Sequence, residues 1–125
     1  MSVVYVALGG AMGAVMRFAV SNVVLRTMGA AFPWGTLAVN MLGSFIAGLL
    51  WSILGQTVGQ QRLNALFVIG MMGAFTTFST FSLESFRLYE EAGLPPALLN
   101  VAANNIGALL AVIGGIYLGR TLLTP

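Results

Sequence analysis

The sequence predicts an all-α membrane protein of four transmembrane helices, the third of them broken near its middle. Three observations carry this. Hydrophobic residues make up 58% of the 125 residues and charged residues only 6%, against roughly 25% charged in an ordinary soluble domain. The eight charges are five Arg and three Glu, with no Lys and no His, too few to solvate a globule of this size. The apolar residues fall into four runs of bilayer length, and at about 20 residues per crossing these fill most of the chain as a single transmembrane domain over 1–125, leaving no separate soluble domain. The absence of Cys removes disulfides, thiolate metal sites and cysteine nucleophiles. The absence of His removes the usual general base. Five scattered arginines form no cluster able to neutralise several phosphates, so neither an enzyme nor a nucleic-acid partner is expected.

The first span is expected over about 3–25. The start Met1-Ser-Val-Val-Tyr-Val lacks the basic n-region of a cleaved signal peptide and reads as the span itself. Arg17 sits about 4–5 Å along the helix from its centre; an intramembrane charge is a functional candidate by default, here either drawing anions into a vestibule or pairing with Glu84. The second span is expected over 34–54, where Thr36, Asn40 and Ser44, spaced i, i+4, i+8, form a polar stripe. The third runs over 63–89 and the fourth follows Pro95-Pro96 over 97–118, with Asn100 and Asn104 as a second stripe and Asn105 beside it. The connections 26–33, 55–61 and 90–96 hold the Gly, Pro, Gln and charged residues that punctuate helices.

Four crossings put both termini on one side, with Arg62 and Arg120; the other side has Arg26 and Arg87. Two against two leaves the positive-inside rule nothing to act on. Either a weak bias still sets one orientation, or the chain inserts both ways and pairs with an inverted copy of itself. The pairs Gly9-x3-Gly13, Gly10-x3-Ala14, Gly43-x3-Ala47, Ser44-x3-Gly48 and Gly115-x3-Gly119 let helices approach closely, within one chain or between two. Four short helices enclose no water-filled channel of their own, so transport needs an oligomer or a groove between subunits.

The third span holds the informative stretch, Gly70-Met-Met-Gly-Ala-Phe-Thr-Thr-Phe-Ser-Thr-Phe-Ser82. Glycine in a helix interior costs about 1 kcal/mol against alanine, and hydroxyls compete for backbone partners. Gly70 and Gly73 followed by Thr76-Thr77 allow two readings: a break, with freed carbonyls available to a cation such as Na⁺, or an unbroken helix whose hydroxyls bond one turn back. Phe78 and Phe81 share a helical face if helix resumes after the break, and their positive ring edges can face an anion beside the hydroxyls of Thr80, Ser82 and Ser85; packing against lipid is the other use of such a pair. Linings rich in uncharged donors and poor in carboxylate favour an anion. Glu84 has Arg87 at i+3, the spacing of a structural pair near the interface.

This run, with Glu84 following, resembles the signature of the Fluc (CrcB) fluoride channels. Gly9-Gly-Ala-Met-Gly-Ala-Val-Met-Arg-Phe18 is similar to that family's first-span motif, and Trp34-Gly-Thr-Leu-Ala-Val-Asn-Met-Leu-Gly-Ser-Phe45 to its second. The resemblance covers all four spans. It implies a fluoride channel of the cell (inner or plasma) membrane: an antiparallel, dual-topology homodimer with two pores, and a structural Na⁺ at the dimer centre on the carbonyls of Gly73 and Thr76. By the same resemblance Phe78 and Phe81 line the fluoride path, and Asn40 is its amide, with Thr36, Ser79, Thr80 and Ser82 as hydroxyl donors. Arg17 belongs to the vestibule and Glu84 to the pore end. The fourth span departs from the pattern: where many members carry Tyr and Ser hydroxyls one turn apart, this chain has Asn100, Asn104 and then Ala108. Two other readings remain: a proton-coupled small multidrug-type antiporter, which wants a first-span carboxylate where this chain has Arg17, and a structural subunit without transport.

Overall fold

The computed structural model describes residues 2–54 and 59–123. Among them every regular element is helical: α1 (Ser2–Met28), α2 (Trp34–Leu54), α3 (residues 61–75), α4 (Phe78–Ala92) and α5 (Leu94–Leu123). With α3 and α4 taken together as Gln61–Ala92, four helices are long and apolar enough to cross a bilayer. Residues 55–58 of the expected second connection lie outside the described residues.

The ends differ from expectation in instructive ways. The last helix begins at Leu94, so Pro95 and Pro96 sit in its first turn instead of preceding it. The N–H groups that proline lacks have no acceptor there in any helix. Gly29 (φ 81°) and Gly93 (φ 89°) adopt the left-handed conformation that ends a helix at low cost. Their N–H groups donate back to Leu25 O at 2.9 Å and Tyr89 O at 3.0 Å. Within α3, residues Asn64–Met72 are wound as a π-helix, a form found mostly as short bulges at functional sites, and nothing in the spacing of the sequence foretold it.

Glycine sets the helix contacts. On α1, a Cβ at Gly9 would strike the Leu66 carbonyl and one at Gly13 the Met71 carbonyl, while Gly70 on α3 lies against Val6. On the other pair of helices, Gly48 faces the Val112 carbonyl, Gly115 the Phe45 carbonyl and Gly119 the Ser52 side chain. Residue numbers rise together across each pair, so α1 packs parallel to α3 and α2 parallel to α5. These small residues thus serve packing inside the chain, the first of the two uses open to them. Between the pairs sits a small core of Val39, Met72 and Phe75. The polarity is inverted relative to a soluble protein. Asn100 is fully buried and Asn104 nearly so, whereas Leu8, Phe18, Leu109 and Leu122 are exposed, the distribution that a hydrocarbon solvent selects.

Candidate functional site: a groove at the helix break

The third span is interrupted at two residues. Thr76 (φ −76°, ψ 158°) and Thr77 (φ −149°, ψ 118°) are extended. Both threonines hold the break locally. Thr76 bonds back to Met72 O through its N–H at 3.1 Å and its hydroxyl at 3.0 Å. Thr77 is the N-cap of α4: its Oγ1 accepts the Thr80 N–H at 3.3 Å and donates to Thr80 Oγ1 at 3.0 Å. The back-bonding hydroxyls expected of an unbroken helix therefore exist, including Ser82 to Phe78 O at 2.9 Å, but they flank a broken one. Replacing Thr77 with Ala is expected to cost about 1 kcal/mol through loss of this cap, read as a lower unfolding temperature of the purified protein.

A side chain from α2 keeps the break open. The Thr77 N–H, which a continuous helix would give to the Gly73 carbonyl, donates instead to Asn40 Oδ1 at 2.8 Å. Asn40 Nδ2 donates in turn to Thr77 O at 3.1 Å and to Asn104 Oδ1 at 2.9 Å. Asn40 thereby replaces the helical acceptor of the Thr77 N–H, a group that a hydrocarbon environment could not leave unpaired, and adds a side-chain donor to the Thr77 carbonyl. The Gly73 carbonyl is left without its i+4 donor at the negative end of α3.

Around the break lies a groove of about 510 Å³. Its lining includes Asn40 and Ser44 from α2, Gly73, Thr76 and Thr77 from the break, Phe78 and Phe81 from α4, and Asn104 and Ala108 from α5. The two phenyl rings stand 5.3 Å apart at 60°. Phe81 is buried, while Phe78 is 75% exposed. A Cβ on Gly73 would meet no atom within 4 Å. The groove therefore has one open flank, along which a ring and a bare stretch of backbone are presented.

The remaining expected site residues distribute unevenly. Thr36 and Glu84 lie away from this groove and line a second cavity of about 330 Å³ with Arg87, Ser21 and Trp34. Thr36 and the Glu84 carboxylate face this cavity together, and Glu84 Oε2 is buried with no hydrogen-bond partner among the described residues. Arg17 is half-buried on α1, lines neither cavity and forms no ion pair with Glu84 among the described residues. It extends the Gly9–Gly13 face by one turn, towards the end of α3. Ser79, Thr80 and Ser82 are exposed on the first turns of α4. Asn100 is fully buried and does not line the groove. Thr77 emerges as a member of the network although it did not stand among the expected pore residues, a role to which the preference of threonine for helix N-caps points; Ser85, expected as a hydroxyl beside the rings, bonds to Phe81 O and Asn100.

Residues 4–116 match the family described as CrcB-like protein, Camphor Resistance (CrcB). The chain belongs to the CrcB family. A "Fluoride-specific ion channel FluC" of Magnetococcus marinus is 47% identical over 123 residues, covering 98% of this chain and all of the relative. One of Hahella chejuensis is 47% identical over 121 residues, covering 96% of this chain and 95% of the relative. One of Agrobacterium fabrum is 40% identical over 122 residues, covering 97% and 98%. In this CrcB chain the run that carries the resemblance, 70–82, is the segment that breaks and lines the groove.

Proposed function

We propose that the protein is a fluoride-specific channel that lets cytoplasmic fluoride leave passively across the inner membrane and so lowers its toxicity. The observation that carries this reading is the broken third span: two phenyl rings and uncharged groups beside a helix break, in a chain 47% identical along its length to a protein named as a fluoride-specific channel. Fluoride is small, strongly hydrated and a strong hydrogen-bond acceptor. A path that presents hydrogen-bond donors and ring edges offsets its dehydration, and a constriction fitted to fluoride would disfavour larger chloride. A path without carboxylates in the groove has nothing to couple flux to protons, which makes passive conduction the simplest mechanism. Proteoliposomes loaded with KF are expected to release fluoride, read by electrode, when valinomycin supplies the K⁺ shunt; retention of the load would overturn the reading.

The working unit is an antiparallel homodimer with two pores. Three features support this: the groove is open on one flank, Phe78 stands exposed beside it, and the 2:2 arginine balance leaves the orientation undecided. The sequence contains no Cys, so cysteines introduced singly at either terminus report topology cleanly. Each is expected to react with impermeant maleimide from both sides of the membrane, and one-sided labelling would exclude dual topology. The carbonyls of Gly73 and Thr76, at the negative end of α3 and freed from helical donors, fit a monovalent cation. Na⁺ bound there from two copies at the dimer centre would neutralise facing helix ends and hold the breaks together.

A further inference from the structure

The buried amides of α5 form one continuous device with the break. Asn40 Nδ2 donates to Asn104 Oδ1 at 2.9 Å, Asn104 Nδ2 to Asn100 Oδ1 at 2.9 Å, and Asn100 Nδ2 to Ser85 Oγ at 2.9 Å. Ser85 Oγ donates to Phe81 O at 2.8 Å. The Thr77 N–H that donates to Asn40 Oδ1 heads the chain. Every link runs in the same sense, so each amide dipole polarises the next. The chain leaves the third span at Thr77, crosses α2 and α5, and returns to the same span four residues later at Phe81.

The donor count decides what these amides can do. An Asn amide has two N–H donors. Those of Asn40 go to Thr77 O and Asn104 Oδ1, and those of Asn104 to the carbonyl and side-chain oxygens of Asn100. The Ser85 hydroxyl hydrogen is used on Phe81. Neither Asn40 nor Asn104 has a donor left for an anion, although both line the groove, and Asn100 has no surface at all.

We propose that Asn104, Asn100 and Ser85 are positioning residues. They act through Asn40 and Phe81 to hold the break and the buried ring in register, and the anion takes its donors from elsewhere in the groove. In this chain, two amides on the fourth span brace the path instead of carrying the ion. The proposal rests on the channel reading, but its first readout does not.

Amide hydrogen exchange resolved at Thr77, together with fluoride efflux from proteoliposomes, tests it in the full-length protein. Asn104→Leu keeps the branched shape of the side chain, though with bulkier ends, and leaves Asn40 without its acceptor. At least a tenfold faster exchange at Thr77 is expected, with fluoride efflux at least tenfold slower and an unchanged size-exclusion profile. Because the effect travels through Asn40, the double variant Asn40→Leu/Asn104→Leu is expected to conduct no more slowly than Asn40→Leu alone. Unchanged exchange at Thr77, or efflux losses that multiply in the double variant as for two independent ion contacts, would overturn the proposal. Should Asn104→Leu not assemble, the half-buried far end decides. Ser85→Ala is expected to slow efflux about threefold, while Ser85→Thr, which keeps the hydroxyl, matches the parent; Ser85→Ala behaving as the parent would overturn it. A parent protein that conducts no fluoride sinks the channel reading and leaves the exchange comparison to judge the relay.

Discussion

Gly115→Ala is expected to unfold the contact between α2 and α5, whereas the same change one residue earlier, Gly114→Ala, is expected to be tolerated. The new methyl group at 115 would collide with the Phe45 carbonyl and lie 2.9 Å from the Leu49 amide nitrogen, both of them backbone. Backbone within a packed helix cannot rotate away as a side chain can, so the helices must separate. Overpacking of this kind costs about 3 kcal/mol, and here it also weakens the face that presents Asn100 and Asn104 to the break. At 114 the nearest atoms belong to the Phe45 ring at 3.8 Å, an ordinary contact, and alanine gains up to about 1 kcal/mol in helix propensity. Thermal stability of the two variants, followed by loss of the monodisperse peak on size exclusion, separates these outcomes. Equal stabilities would mean that the two helices do not approach as closely as Phe45 and Gly115 do here.

Replacing Phe81 or Phe78 with Ile is expected to slow fluoride efflux by about thirtyfold while leaving the assembled protein intact. Isoleucine preserves apolar bulk but removes the positive ring edge. By analogy with the better measured contact between a ring and a cation, a desolvated ring–ion contact is worth about 2 kcal/mol, which corresponds to about thirtyfold in rate. The two positions differ in what else they lose. Phe81 is buried and its carbonyl ends the amide relay, so some stability goes with it; Phe78 is 75% exposed, so its variant reads the ring almost alone. Phe86 lies on the same helix, outside the groove lining and exposed; Phe86→Ile is the matched control and should conduct as the parent does. Efflux unchanged in both groove variants would remove the rings from the path.

Much of this was legible because the bilayer imposes a one-dimensional constraint. An apolar run long enough to cross must be a helix, since no other single segment satisfies its own backbone in hydrocarbon. The break was legible only in part: spacing left an unbroken helix equally open, and in the structure Gly70 and Gly73 stay helical while the chain is interrupted at Thr76 and Thr77. The functions of polar residues were less so. Thr36 and Asn40 are one turn apart on the same stripe, yet they reach different cavities. Asn100 and Asn104 look like two more pore donors in a string of letters, but both hydrogens of Asn104 go to Asn100, four residues away, and Asn100, bonded to Ser85 fifteen residues away, is fully buried. Arg17 looked like the mouth of a vestibule and stands on α1, clear of both cavities.

Composition, spacing and motif therefore settled the membrane setting, the four helices and the family, and pointed to the region of the interruption. These follow from local rules: hydropathy along a line, helix-breaking residues, and a run of letters specific enough to be matched. Which hydroxyls and amides remain free to meet an ion was decided only by the tertiary structure. A hydrogen-bond donor can be used once, and whether it is spent on a neighbouring helix depends on how α2, the break and α5 come together in space. The same close approach, set by glycines at 48, 115 and 119, brings Asn104 to Asn40 and so spends on neighbouring helices the donors of a stripe of asparagines.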